Sequence, residues 1–211
     1  MKRLIFEPEH EAFRETCKAF CAKEVAPHHS EWERAGIVPR DLWLRAGSLG
    51  LLGFMMPERY GGAGVEDFRF NAVFNEELTK IGAGGPGMPL RNDIVSGYLL
   101  HLTTAEQKER WLPGFCDGSL ISAIAMTEPE AGSDLQGIRT TAVRDGDCYL
   151  LNGQKTFITN GINADLVVVV AKTPLNGHQE ITLLVVERGM PGFSRGRNLD
   201  KIGLKAQDTA E

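Results

Sequence analysis

The sequence predicts an α+β protein: an N-terminal all-α domain over residues 1–119, then an antiparallel β-barrel or sandwich-like domain over 120–211. Three observations carry this reading. Apolar residues recur at helical spacing as far as the neighbourhood of Gly118, and beyond it the period becomes that of strands. Strand-helix-strand units do not repeat, which argues against a doubly wound sheet.

In the first part, Phe6, Phe13, Cys17, Phe20 and Val25 line one stripe of a surface helix reaching to about Ala26. Glu7, Glu9 and Glu11 load its first turns, where the helix dipole favours anions. Pro27 ends it, and His28 and His29 just beyond read as a solvated cap rather than as ligands. A short helix from Asp41 to Gly47 offers Leu42, Trp43, Leu44 and, just beyond it, Leu49 to a core. Helix signals resume from Phe68 to Ile81, with Phe70, Val73, Phe74, Leu78 and Ile81 on one face. Ile94 to Leu102 reads as a buried helix, and Thr103-Thr104-Ala105-Glu106-Gln107, an N-cap followed by an acid, opens another that runs to Trp111, before Pro113. Between them, Gly82-Ala83-Gly84-Gly85-Pro86-Gly87 formally matches G-x-G-x-x-G. It follows a helix rather than a strand and carries Pro where a phosphate-cradling turn would enter a helix, so it reads as a flexible connector.

In the second part, Ile121–Met126, Ile138–Val143, Tyr149–Leu151, Leu166–Ala171, Ile181–Val186 and a short run near Phe193 read as strands. Asp145-Gly146-Asp147, Asn152-Gly153 and Pro174-Leu175-Asn176-Gly177 supply turns between them. Val167 to Val170 is continuous rather than alternating, so that strand is expected to be covered on both faces.

Composition removes several classes of function. The net charge of -5 and the scattered Lys and Arg leave no run able to track a phosphate backbone, so nucleic acid is not an expected partner. No apolar segment reaches the ~20 residues of a membrane span, and Met1-Lys2-Arg3 leads straight into a helix without a signal-peptide hydrophobic region. A cytoplasmic location is the expectation. Cys17 and Cys21 lie one helical turn apart and Cys116 and Cys148 stand alone, which fits reduced thiols and no metal site.

Two dense polar motifs interrupt the strand region: Ala125-Met126-Thr127-Glu128-Pro129-Glu130-Ala131-Gly132-Ser133-Asp134 and Asn152-Gly153-Gln154-Lys155-Thr156-Phe157-Ile158-Thr159-Asn160-Gly161. Such runs give a core little, so each is a plain surface turn or a loop shaped to hold something. Read blandly, Thr127 and Ser133 cap turns and Phe157 is core. Together they resemble the flavin-binding signature of the acyl-CoA dehydrogenases, M-T-E-P-x-A-G-S-D followed by N-G-x-K-x-F-I-T-N-G. An oxidised flavin is a flat apolar ring with one polar edge, so its site needs hydrogen-bond donors and an aromatic wall.

The resemblance implies FAD as cofactor and assigns roles. The segment Ile124, Ala125, Met126 and Thr127 lies along the flavin, with Thr127 donating to its pyrimidine edge. Gly132 and Ser133 close the same loop, Ser133 touching both cofactor and thioester. Phe157 forms the wall where many relatives have Trp, and Ile158 and Thr159 follow, with Thr159 donating to N5. His178, beside Gly177, aligns with a turn that approaches the CoA end of the substrate, although a polar hairpin tip explains these two residues equally well.

Similarity extends from the P-E-H-E-x-F-R opening to the closing Gly203-Leu204-Lys205-Ala206-Gln207-Asp208-Thr209-Ala210-Glu211. Pro27-His28-His29-Ser30-Glu31-Trp32-Glu33 and Asp134-Leu135-Gln136-Gly137 resemble the long-chain branch in particular. Its implications are α,β-dehydrogenation of an acyl-CoA, electron-transfer flavoprotein as electron acceptor, a homotetramer, and a bacterial cytoplasm or an organelle matrix. Relatives carry the general-base glutamate in a further helical bundle. By resemblance that position lies beyond Glu211, so no catalytic residue is assigned within the chain, and 1–211 alone is expected to be inactive. Two departures stand out: Glu130 replaces a usual glycine, and Met88-Pro89-Leu90-Arg91-Asn92-Asp93 replaces a more hydrophobic stretch with a His. Two other readings stay open: a monooxygenase or oxidase that keeps the fold, and a non-catalytic partner subunit.

Overall fold

A computed structural model describes residues 4–175 and 178–211. By its contacts the chain divides into two compact units, Met1–Ile121 with Asp200–Asp208, and Ser122–Leu199 with Thr209–Glu211.

The first unit is helical. Helix α1 (Pro8–Phe20) starts with Pro at its first position, and Nδ1 of His10 accepts from the backbone N–H of Glu7 at 3.1 Å. With Nδ1 an acceptor, the ring proton sits on Nε2, which donates to Asp67 at 3.1 Å. A π-helical turn, Cys21–Val25, prolongs α1. Then come α2 (His29–Ala35), α3 (Arg40–Ser48), α4 (Arg69–Lys80), a second π-helical turn (Leu90–Val95), α5 (Ser96–His101) and α6 (Ala105–Asp117). Cys17, Phe20, Trp43, Leu51, Val73, Phe74 and Met88 belong to its core.

Arg14 on α1 donates from Nη1 to Glu76 and Glu77 of α4, both at 2.8 Å, which pins the two helices across a nearly dry seam. Helix α6 opens where the N-cap-then-acid run announces it, and the structure shows a capping box between Thr104 and Gln107. It ends at Gly118, whose φ of 85° suits glycine and whose hydrogen faces the carbonyl of Trp43, where a Cβ would stand 2.1 Å away.

Several expectations need correcting here. His29 does not sit on a bare helix end but begins α2, which buries Trp32. Helix α6 does not stop before Pro113; it continues to Asp117, and the burial of Leu112, Phe115 and Cys116 outweighs the missing N–H. The glycine-rich connector is closely packed: Cβ atoms at Gly84 and Gly85 would lie 2.0 Å from Leu204 and 2.3 Å from Ala206. Small residues are needed there so that Asp200–Asp208 can pack on the helical unit.

The second unit is a mixed sheet. Strand β5 (Leu166–Leu175) runs parallel to β1 (Ser122–Ala125), in the register Ala123 to Val167 and Ala125 to Val169. It is also parallel to β2 (Thr141–Asp145) and antiparallel to β6 (His178–Glu187). Strand β3 (Cys148–Asn152) pairs antiparallel with β2 through a two-residue turn, where the φ of 61° at Gly146 gives the first position the left-handed backbone such turns demand. The expected all-antiparallel sheet is therefore corrected to a mixed one. The chain travels from β1 through β2 and β3 before it returns to β5, so β5 arrives alongside β1 from a non-adjacent segment. The described ladders do not close on themselves: β6 pairs with β5, and β3 with β2.

Val167 and Val169 pack with Ala123, Ala125, Ile158 and Ala164, while Val170 packs with Ala131 and Ile138. Both faces of β5 are thus covered, as its continuous apolar run predicts. No strand forms at Phe193; that residue lies in an irregular segment and packs against the core. Instead two short strands, β4 (Ile158–Thr159) and β7 (Thr209–Ala210), make a separate antiparallel pair.

Candidate functional site

The two polar motifs leave strands of the β unit that are not neighbours in the sheet, since β5 and β2 lie between β1 and β3. The first follows β1, and the second spans the exit of β3 and all of β4. They are sewn together by three bonds. The backbone N–H of Thr156 donates to the carbonyl of Thr127 at 3.0 Å. Nζ of Lys155 donates to the carbonyl of Met126 at 2.9 Å and to Oε1 of Glu128 at 2.8 Å.

Glu128 is the hub. The residue is 4% exposed, and its carboxylate accepts from the backbone N–H of Arg139 (2.6 Å) and of Thr140 (2.9 Å) as well as from Lys155. Burial alone would raise its pKa, but the Lys155 ammonium and the two amides outweigh that and hold it down at about 2. The turn it heads is tight: Glu128 and Ala131 exchange backbone bonds at 2.9 and 3.2 Å. Glycine at 153 lets the second motif press on the same anchor, since a Cβ there would fall 2.3 Å from Oγ1 of Thr140.

Beyond Lys155 the backbone is forced. Phe157 adopts a φ of 59° although it is not glycine, and its side chain is 67% exposed. Such a conformation costs ~1–3 kcal/mol and persists only where the surroundings fix both ends. Here they do. Thr156 is bonded upstream, and downstream buried Asn160, also left-handed at 62°, donates from Nδ2 to the carbonyl of Ser122 at 3.2 Å. The turn that follows is held by two arginines: Arg188 donates to the carbonyls of Ile162, Asn163 and Ala164, and Arg195 to those of Gly161 and Ala164.

Of the residues expected at the site, Ile124 and Ala125 are buried on β1, and Met126 and Thr127 are half-buried where it ends. Ile158 is buried beside Ala125, and Thr159 is half-buried on β4. The bond between Thr156 and Thr127 brings Thr127 next to the segment that carries Phe157. Gly132 and Ser133 stand on the exposed far limb of the first loop, where the carbonyl of Ser133 accepts from Leu135 N–H at 3.2 Å. Phe157 is not core, which removes the bland reading of that residue. Glu130 points to solvent and meets Arg139 at 3.3 Å, so replacing the usual glycine leaves the loop intact. The substrate role expected of His178, with Gly177 beside it, falls on side chains outside the described residues.

Sequence reasoning missed Glu128 and Lys155. Both were visible inside the motifs, but a charged pair in a polar loop reads as solvated surface until its burial is known. Arg188 and Arg195 left no local signal, because their partners are backbone carbonyls and, for Arg188, also the carboxylate of Asp165 at 3.0 Å, 23 positions away in the chain.

Residues 7–119 match the family model "Acyl-CoA dehydrogenase, N-terminal domain", and residues 123–211 match "Acyl-CoA dehydrogenase, middle domain". The chain belongs to the acyl-CoA dehydrogenase family. It is 51% identical to the mitochondrial long-chain specific acyl-CoA dehydrogenase of Mus musculus, over 99% of this chain and 49% of that protein. Among solved structures, an acyl-CoA dehydrogenase from Geobacillus kaustophilus superposes with a TM-score of 0.94 at 52% identity, covering 99% of this chain and 56% of that one. An acyl-CoA dehydrogenase from Bacillus anthracis complexed with FAD superposes at 0.82 with 32% identity, covering 100% of this chain and 36% of that one. This family member thus spans about half the length of the mouse relative.

Proposed function

We propose that the protein serves an FAD-dependent acyl-CoA dehydrogenation, the removal of hydrogen from the α and β carbons of an acyl-CoA thioester, with its β unit gripping the flavin. The observation that carries this reading is the junction of the two motifs: an exposed aromatic ring held at positive φ, one residue from a backbone bond to Thr127. A folded protein gains nothing in stability from straining the backbone to expose a phenyl ring, so the strain fits a ligand-facing role. The residues suit the group. Phe157 gives a flat apolar wall, while half-buried Thr127 and Thr159 bring hydroxyl and amide donors of the kind a flavin edge requires.

When bound, FAD would supply the acceptor for the hydride that leaves the β-carbon. The chain's own residues orient and shield. Thr127 donates to the pyrimidine edge, and Thr159 donates towards N5. Phe157 covers one face and keeps water from it, with Ile124, Ala125, Met126 and Ile158 behind. Gly132 leaves room for the loop, and Ser133 reaches cofactor and thioester from its far limb. The Glu128 and Lys155 pair fixes the backbone at Met126, and would thereby hold Met126 and Thr127 in place for the cofactor. His178 remains our candidate for the CoA end. We assign the base that takes the α-proton to no carboxylate of this chain.

Family membership alone supports the wider reading: a helical domain 1–119 and a β domain 120–211, electron-transfer flavoprotein as acceptor, a homotetramer, and a bacterial cytoplasm or organelle matrix as location. The test is spectroscopic. Protein reconstituted with FAD and freed of excess cofactor should hold a visible flavin band that an acyl-CoA perturbs and free CoA does not. A colourless protein, or a band indifferent to the thioester, overturns the proposal.

A further inference from the structure

Strand β6 has one neighbour among the described strands, β5, against which it runs without a bulge from the pair of Leu166 and Glu187 to that of Leu175 and His178. Its other edge is open. Which backbone groups lie along that edge follows from a bond just past the ladder, where Arg188 N–H donates to the carbonyl of Asp165 at 2.7 Å. Bonded and non-bonded pairs alternate in an antiparallel ladder, so Val186, Leu184 and Thr182 turn their backbone towards β5, while Val185, Leu183 and Ile181 turn theirs away. Strand β5 shows the same alternation from its own side. Lys172, opposite Ile181, gives its N–H to the Thr140 carbonyl at 2.8 Å, and Pro174, with no N–H to give, also takes a position facing away from β6.

The open edge is closed off at one end only. Glu187 N–H donates to Sδ of Met190 at 3.4 Å, and the Glu187 carbonyl accepts from Met190 N–H at 3.2 Å. The N–H and carbonyl groups of Ile181, Leu183 and Val185 take no such partner among the described residues. Their side chains are open as well: Ile181 is 54% exposed, Leu183 is 37% exposed and Val185 is half-buried. Folded proteins interrupt long edges of this kind with Lys, Pro, a bulge or an inward charge, because an open edge templates pairing with another strand. Between Glu180 and Glu187 this strand carries none of these devices.

We infer that β6 pairs with β6 of a second copy of this chain, antiparallel and about a two-fold axis through Leu183. In that register Leu183 meets its own counterpart and Ile181 meets Val185 on either side, each pair exchanging two backbone bonds. Apolar side chains then face apolar side chains along the whole exposed face, and the two glutamates do not oppose each other. Sliding the register by one residue about the axis sets Val185 opposite Gln179 in one direction and Ile181 opposite Glu187 in the other. A second copy thus supplies by symmetry the match that a foreign strand would need to be built for. One strand edge is a small contact, so the dimer is weak, with a Kd of about 100 µM. It rests on neither the flavin reading nor the homotetramer that family membership supports.

The test is the association state of the full chain, by light scattering across a concentration series. Monomer should give way to dimer, with about 80% of the chain paired at about 1 mM. Leu183→Pro should raise the Kd by at least about tenfold: it removes one outward N–H, and it breaks no bond to β5 because that N–H faces away from it. A chain that stays monomeric to about 1 mM overturns the proposal, as does a dimer that Leu183→Pro leaves equally tight. If the variant does not fold, hydrogen exchange of the wild-type chain decides. The amides of Ile181, Leu183 and Val185 should exchange about threefold more slowly at about 1 mM than at about 50 µM, while those of Thr182, Leu184 and Val186, bonded to β5, are slow at both. Concentration-independent exchange at Ile181, Leu183 and Val185 overturns the inference.

Discussion

Nζ of Lys155 lies 2.8 Å from Oε1 of Glu128, with 10% and 3% of the two side chains exposed. The lysine's other bond, to the Met126 carbonyl at 2.9 Å, makes this pair a cross-brace between the two loops rather than a surface ornament. Removing one member should therefore cost more than an exposed ion pair is worth. Lys155→Met leaves a buried carboxylate with two amide donors and an uncompensated charge, and we expect a loss of ~3 kcal/mol in urea unfolding. A loss below ~1 kcal/mol would place the pair with ordinary surface salt bridges.

Acid should release the same brace. The folded pKa of Glu128, about 2, lies below its ordinary 4.5, so the native state favours the ionised form. Its stabilisation is complete above about pH 4.5, falls away as the pH drops, and is gone once the pH passes below about 2. The gap between the two values is worth at most ~3 kcal/mol. Glu128→Gln should flatten the dependence of the urea midpoint on pH between about 2 and 5. An unchanged acid limb in that variant would show that other carboxylates carry it.

Phe157 should separate stability from binding. Glycine at 157 removes the strain of a φ of 59° and gives up little burial, so Phe157→Gly should be about as stable as the parent or up to ~1 kcal/mol more stable. If Phe157 is the proposed flavin wall, the same change removes a stacking contact worth ~1 kcal/mol beyond its area and should weaken FAD binding by about tenfold. Thermal melts and flavin fluorescence on one preparation check both. A variant that loses stability and keeps its affinity would mean that the ring packs on protein, not on a cofactor.

Much of the fold was legible where local signals suffice. The N-cap-then-acid run Thr103-Thr104-Ala105-Glu106-Gln107 announces α6, and the continuous Val167 to Val170 run announces a strand covered on both faces. Features that depend on distant partners were not. The parallel pairing of β1 with β5, the run of α6 through Pro113, and the little β4 and β7 pair are each decided by contacts between residues far apart in the chain. The site divides the same way. Its hydroxyl and aromatic residues were readable as motif letters, while the role of Glu128 became visible only with its burial and its bonds to Arg139 and Thr140.

The central claim is that the loops around Thr127 and Phe157 form one flavin grip, and titration of FAD into the purified chain tests it most directly. Saturable quenching of flavin fluorescence is expected for the parent, with binding weakened about tenfold in both Thr127→Val and Phe157→Ala, each the loss of one bond or one stacking contact. Equal quenching by parent and both variants, or none by any of them, would contradict it.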